Sequence, residues 1–267
     1  MTAIITLTSD FDLNDGYVAA MKGVILGIIP DVHLIDICHS IEPQNILQAA
    51  FVLSTVHRCF PDGAIHLVVV DPGVGTERKG LILKTPRAYF VAPDNGVLTY
   101  VAKEHSSREG SLAPGVGAVI LTNQEYWLSP VSSTFHGRDV FAPVAAHLSV
   151  GVRMAELGET ATSVSMLSTA DPQHHSDGSL TGAIIHIDHF GNLITNIKNE
   201  DIASAPEATL VEISGRQISG MNATYAQGQG LLALIGSNGY LEIAMSNGSA
   251  CRTLSAGIGD EVKVKRR

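Results

Sequence analysis

An aspartate that directly follows a run of core-type residues is well placed for chemistry. Ala64-Ile65-His66-Leu67-Val68-Val69-Val70 leads straight into Asp71-Pro72-Gly73-Val74-Gly75-Thr76-Glu77-Arg78. The apolar, β-branched run reads as an interior strand, and Asp-Pro-Gly ends it abruptly. Ligands of open α/β sheets bind beyond the carboxyl ends of the strands. Asp71 stands at such an end, and the glycines allow Arg78 to fold back toward it. The plain alternative is a capped turn with a solvated arginine. Asp10, in Thr8-Ser9-Asp10-Phe11-Asp12, ends a second strand pattern. If the two strands lie close, both carboxylates face one crevice, and a carboxylate there can accept two hydrogen bonds from a ribose diol. Asn14 or Asp15 then caps the helix that follows.

Two further loops carry usable groups. Thr134-Phe135-His136-Gly137-Arg138-Asp139 sets His136 just before an expected helix N-terminus. The dipole there disfavours a cation, so the imidazole stays neutral and able to take a proton from water. A loop histidine without a role is the alternative. In Asp188-His189-Phe190-Gly191-Asn192, Phe190 can stack on a planar ring and the Asn192 amide offers a donor and an acceptor, matching an adenine edge. A simple Gly-Asn turn fits the same pattern. His174-His175 and His186-x-x-His189 read as linker and strand residues, and no metal site is expected. An Asp-x-Asp on the first strand also suits a phosphatase or a calcium-dependent nucleoside hydrolase. The first lacks its partner motifs downstream, and Gly16 breaks the second's adjacent pair of aspartates.

The chain that must position these groups has 267 residues, 45% of them hydrophobic, with a formal net charge of −9. That is enough for a substantial core and argues against disorder. The acidic balance disfavours a nucleic-acid partner. No apolar run is long enough to span a membrane, and the start lacks a secretory signal. Cys38, Cys59 and Cys251 are few and scattered, as in a reduced, cytoplasmic protein.

Strand and helix patterns alternate through the first part of the chain. Strands are expected at Ile4–Thr8, Val32–Ile37, Ala64–Val70, Leu81–Lys84, Ala88–Val91 and Gly117–Leu121. Helices are expected from Asn14 or Asp15 to Ile29, and over Gln44–Arg58, Gly96–Lys103 and Arg138–Val150. This describes an α/β N-terminal domain with a mostly parallel central sheet, residues 1–169. A polar linker, 170–179, leads to residues 180–267, where the period drops to two. Strand patterns at Ala183–Asp188, Leu193–Ile197, Thr209–Ile213, Leu231–Ile235, Tyr240–Met245 and Glu261–Lys265 fit a small antiparallel β-barrel, with Ser237-Asn238-Gly239 as a hairpin turn.

Taken together and in order, these segments carry a family resemblance. Thr8-Ser9-Asp10-Phe11, Val70-Asp71-Pro72-Gly73-Val74-Gly75-Thr76, Ala92-Pro93-Asp94-Asn95-Gly96, Thr134 to Asp139, Asp188-x-Phe190-Gly191-Asn192 and Gly239-Tyr240-Leu241-Glu242-Ile243-Ala244 all recur. The chain closely resembles the adenosine-forming S-adenosyl-L-methionine (SAM) hydrolases, or SAM hydroxide adenosyltransferases, relatives of the fluorinases and chlorinases. The resemblance implies a homotrimer, with substrate held between the first domain of one subunit and the barrel of its neighbour. It implies hydrolysis of SAM to adenosine and L-methionine, with SAM as substrate and no cofactor. Asp71, Arg78 and His136 match the family's nucleophile-handling set, Asp10 its ribose-binding acid and Asn192 its adenine-reading asparagine, with Phe190 beside it. Asp15, Ser237, Tyr240, Glu242 and Met245 lie in segments that line the methionine and adenine pockets.

Chemistry supports this assignment. A sulfonium is already an excellent leaving group, so the barrier lies in delivering a desolvated nucleophile in line with the C5′–S bond. Arg78 can stabilise a hydroxide-like oxygen, His136 can accept or relay its proton, and Asp71 can orient the pair and touch the ribose. The halogenating relatives carry an aromatic residue where this chain has Asp71, and a carboxylate repels halide. The chain also seats Asp12 where relatives have glycine, a position that aspartate tolerates if φ is positive. A nucleoside hydrolase and a non-catalytic SAM- or adenosine-binding protein stand as the alternatives.

Overall fold

The computed structural model describes residues 2–108, 111–202 and 208–266. They form two compact units, Met1–Leu167 and Ser168–Arg267. The first begins with β1 (Ala3–Ser9), α1 (Tyr17–Ile28), β2 (Val32–Cys38), α2 (Ile46–Val56), β3 (Ala64–Val69), β4 (Gly80–Lys84) and β5 (Ala88–Pro93). Then come α3 (Thr99–Lys103), the short hairpin β6 (Ser106–Arg108) and β7 (Ser111–Leu112), β8 (Gly117–Leu121), α4 (Ala142–Ser149) and β9 (Gly158–Ala161).

Seven of these strands form one sheet in the order β2-β1-β3-β5-β4-β8-β9. The ladders joining β2, β1, β3 and β5 are parallel. The sheet is mostly parallel, as expected, but mixed, because β4 and β9 run against their neighbours. β4 and β5 form a tight hairpin turned at Thr85, which brings in an antiparallel partner without a crossover helix.

Alternation along β3 explains why both faces are covered. Ile65, Leu67 and Val69 pack with Met21 and Ile25 of α1 and Val144 of α4, while Val68 and Val70 pack with Ala49 and Leu53 of α2. A strand buried on both faces must be apolar throughout, and every residue of β3 is buried. His66 is its one polar exception, stacked on Phe90 at 4.9 Å and hydrogen-bonded through Nδ1 to Thr6 Oγ1 at 2.8 Å.

Helix starts differ from expectation in two places. α1 opens on Gly16, without a side-chain cap, so neither Asn14 nor Asp15 caps it. Asn14 instead donates to Asp12, whose carboxylate also accepts from Leu13 N–H. In the helix expected from Arg138, the first turn is a π-turn, Gly137–Phe141, which runs into α4.

The second unit contains β10 (Gln173–His174), β11 (Leu180–Ile187), β12 (Leu193–Lys198), β13 (Thr209–Ile213) and β14 (Arg216–Ser219). β15 (Leu231–Ile235), β16 (Tyr240–Met245), α5 (Ala250–Leu254) and β17 (Glu261–Arg266) complete it. The antiparallel order β14-β13-β17-β11-β12-β16-β15 has β10 paired to β11, so the stretch 170–179 contributes a strand of its own. A bridge from Asn222 to Leu234 of β15 brings the two ends of the path together, giving a nearly closed, barrel-like sheet. Its interior holds Leu180, Ile184, Leu193, Ile243 and Val262. Among the described residues, no helix is long and apolar enough to cross a membrane.

Candidate active site

The loop after β3 folds back on itself through two small turns. Val74 N–H donates to Asp71 O and Thr76 N–H to Gly73 O, each at 3.2 Å, and Thr76 Oγ1 donates to Gly73 O at 2.7 Å. This reversal returns Arg78 to Asp71. Arg78 Nε donates to Asp71 Oδ1 at 2.9 Å and Nη2 to Oδ2 at 2.5 Å, a two-pronged pair in which both side chains are at least nine-tenths buried. The guanidinium carbon lies 5.3 Å from the centre of the Phe141 ring.

His136 reaches this pair from the other loop. Gly75 is the point of closest approach: its φ is +76°, and a Cβ there would lie 2.4 Å from Ser133 O. Gly137, packed against Met21 and Val69, seats the π-turn on the sheet just after His136. Asp139, buried behind it, binds Arg138 and accepts from Ser132 N–H at 2.8 Å, which fixes the loop's start. Burial opposes its charge, but Arg138 and Ser132 outweigh that and hold its carboxyl below the ordinary value. Asn95, in turn, donates to Val70 O at 2.9 Å and steadies the end of β3.

Arg78 Nη2 lies 3.0 Å from His136 Nδ1. A guanidinium only donates, so Nδ1 must accept. The ring is then neutral, with its proton on Nε2. Burial, and next the positive Arg78, push the His136 pKa below its ordinary value, in agreement with that tautomer. Burial pushes the Asp71 carboxyl upward although Arg78 opposes it. A cleft of about 710 Å³ in the first unit reaches Arg78 and His136, with Trp127, Thr160 and Ser163 along its walls.

Asp10 lies at the end of β1, which pairs in parallel with β3 so that Ser9 faces Val69. The Asp10 and Asp71 carboxylates therefore stand at the carboxyl ends of adjacent strands. Asp10 Oδ2 accepts from Gln44 N–H at 2.8 Å. Asp15 is exposed, ahead of α1. Asp12 has φ +54° and is exposed. Phe11, Tyr17 and Phe135 form a three-ring cluster with centroids 5.1–5.6 Å apart, beside His136 in sequence.

In the second unit, Asp188 ties the turn between β11 and β12. Its carboxylate accepts from Phe190 N–H, Asn192 N–H and the Asn192 amide at 2.8–2.9 Å. Asn192 is thereby fixed, while Phe190 is 75% exposed. Glu242, on β16, is buried and accepts from Tyr225 Oη at 2.7 Å. Burial raises its pKa, Asp188 adds to that rise, and the Tyr225 hydroxyl opposes it; burial and Glu242 together push Tyr225 up to about 12. Ser237 is exposed in the hairpin between β15 and β16, Tyr240 begins β16, and Met245 ends it against the barrel core. Tyr225 and the part played by Asp188 escaped sequence reading, since nothing local distinguishes a tyrosine that meets a glutamate 17 residues on. Among the described residues, no group of three or more His, Cys, Asp or Glu side chains is placed to hold a metal ion.

Comparison with known proteins follows the same division of the chain. Residues 5–158 match the SAM hydroxide adenosyltransferase N-terminal domain and residues 182–263 the corresponding C-terminal domain. The chain is 36% identical to the (R)-S-adenosyl-L-methionine hydrolase of Methanocaldococcus jannaschii over 277 residues, covering 98% of this chain and 95% of that protein. It is 28% identical to the fluorinase of Nocardia brasiliensis over 299 residues, covering 98% and 97%. The crystal structure of an uncharacterized conserved protein from Thermotoga maritima superposes with a TM-score of 0.88 at 36% identity, covering 98% of this chain and all of that one. With both halves matched in order and a relative this similar over nearly its whole length, the chain belongs to the SAM hydroxide adenosyltransferase family.

Proposed function

We propose that the protein hydrolyses S-adenosyl-L-methionine at C5′, giving adenosine and L-methionine, and that Asp71, Arg78 and His136 handle the attacking water. The observation that carries this is the hydrogen-bonded chain Asp71–Arg78–His136 in a member of this family. Arg78 spends Nε and both Nη2 hydrogens on Asp71 and His136. Its Nη1 hydrogens have no acceptor among the described residues, and the His136 tautomer adds an Nε2–H. These are donors suited to an oxygen gaining negative charge.

The donor tautomer moves His136 away from the part of base. Asp71, whose carboxyl burial has raised, takes the proton of water as the O–C5′ bond forms. The C5′–S bond breaks and its electron pair stays on sulfur as the methionine thioether. Positive sulfonium and developing hydroxide cancel, so a low-dielectric site favours the reaction. Asp10 holds the ribose hydroxyls.

The proposal extends to a homotrimer, with Phe190 and Asn192 meeting an adenine bound by a neighbouring copy. Asn192 keeps an amide oxygen and one N–H for that edge once Asp188 has taken the other. Asp15, Ser237, Tyr240, Glu242 and Met245 are assigned to the rest of the pocket, and the free Cys38, Cys59 and Cys251 suit a reducing cytoplasm.

Incubation with SAM in oxygen-18 water, followed by mass spectrometry, tests the reaction. Adenosine labelled at its 5′ oxygen with equimolar methionine is expected. Free adenine would indicate a nucleoside hydrolase, and binding without turnover a non-catalytic binding protein; either overturns the proposal. Light scattering of the purified protein tests the trimer, and a monomer mass would refute it.

A further inference from the structure

A second hydrogen-bonded chain of side chains runs beside Asp10. Ser9, fully buried, has its Oγ 2.7 Å from His39 Nδ1. His39 Nε2 lies 3.0 Å from Asp36 Oδ1, and Lys22 Nζ lies 2.6 Å from the other Asp36 oxygen. The order Ser–His–Asp is that of a nucleophilic triad. A hydroxyl with no exposure cannot meet a substrate, so nucleophilic attack by Ser9 is excluded.

What the chain can do is hold a strand end. An ionised carboxylate accepts only, so Asp36 keeps the ring proton on Nε2 and leaves Nδ1 to accept the Ser9 hydroxyl. Ser9 Oγ is then free to accept from Phe11 N–H, at 3.4 Å, a link that spans Asp10. On the far side, the His39 carbonyl accepts Asp12 N–H at 2.7 Å. One residue thus anchors the chain on both sides of Asp10. A register slip makes this possible: Leu7 faces Asp36 but Thr8 faces Cys38, which carries His39 up to Ser9.

We infer that His39 is a positioning residue for Asp10, fixing through Ser9 and its own carbonyl the strand end that presents the carboxylate, with Asp36 and Lys22 setting its tautomer. The inference rests on the assignment of Asp10 to the ribose hydroxyls. It predicts a loss confined to the grip on ribose.

The test uses the full chain with two substrates, SAM and its 2′,3′-dideoxyribose analogue. Ser9→Ala and His39→Ala should raise KM for SAM roughly tenfold with kcat within about twofold, the effect of one lost hydrogen bond. On the dideoxy analogue the variants and the parent should be alike. His39→Asn, whose amide oxygen stands near the Nδ1 position, should recover part of the loss. If the variants weaken SAM and the analogue equally, His39 serves the fold alone and the inference is overturned. Asp10→Asn separates the premise: should it leave KM for SAM unchanged, the ribose assignment fails and the inference with it. Should it raise KM while Ser9→Ala and His39→Ala do not, only the inference fails.

Discussion

Arg78 donates an Nη2–H to His136 Nδ1 across 3.0 Å, and a guanidinium has no lone pair with which to reciprocate. The imidazole therefore presents N–H to whatever meets Nε2. Glutamine can place an N–H near that atom, whereas alanine cannot. His136→Gln is expected to keep kcat within about tenfold of the parent, while His136→Ala loses about a hundredfold or more. Single-turnover rates decide this, and equal losses in the two variants would restore the histidine to the part of base.

The pH profile should show two overlapping protonations. Asp71 titrates above its ordinary 3.8 because it is buried, and His136 below its ordinary 6.5 for the same reason, with Arg78 adding to it. The proposed roles need the Asp71 carboxylate and the neutral His136 ring, and acidification removes both, Asp71 at a higher pH than an ordinary aspartate and His136 at a lower pH than an ordinary histidine. The expected kcat/KM is level near neutrality and falls with a limiting slope of two, reduced to one in His136→Gln. A slope of one in the parent contradicts the paired requirement.

Arg78→Lys keeps the charge but not the fork. An ammonium cannot engage both Asp71 oxygens and His136 while still offering donors to water. A drop in kcat of about a hundredfold or more is expected, with SAM affinity measured by calorimetry changing only a few-fold. Comparable losses of affinity and rate would assign Arg78 to binding.

Gly75→Ala tests the contact between the two loops. The new Cβ would sit 2.4 Å from Ser133 O, at a φ of +76° that L-residues rarely adopt. A stability loss of roughly 1–3 kcal/mol in urea melts is expected, with a fall in kcat beyond what the melt explains. Full activity in the folded variant would show that the approach is dispensable.

His66 makes stability depend on pH. Burial, with His57 nearby, lowers its pKa to about 4 from 6.5. The unfolded chain therefore binds the proton first, and stability is complete above pH 6.5 and falls as pH drops from 6.5 toward 4. A shift of that size corresponds to roughly 3 kcal/mol. His66→Phe should flatten urea-melt stability across the window, and an unchanged dependence would place the acid sensitivity elsewhere.

Much of this was written in local pattern. The β-branched run before Asp71 gave the strand end and its loop, because a strand buried on both faces must be apolar throughout. The period-two stretches from Leu193 to Ile197 and Tyr240 to Met245 appear as β12 and β16. β9 and β14 were illegible: Gly-Glu-Thr-Ala and Arg-Gln-Ile-Ser are polar segments at the ends of their sheets, where little is buried to set a period. The capping signal of Asn14 and Asp15 misled because Asp12, at positive φ, draws the Asn14 amide to itself. The His136 tautomer and the Ser9–His39 pair were out of reach for a different reason. Their partners lie 58 and 30 residues away, and periodicity carries no information about who meets whom at that range.

The glycine at position 75 and the carbonyl of Ser133 leave no room between them for even a methyl group. Two loops some sixty residues apart in the chain have thus become a single heritable part. Replacing one of them alone, to admit a different nucleophile, would create a chimaera whose halves collide. Redesign of this centre has to transplant the 71–78 and 131–136 segments together.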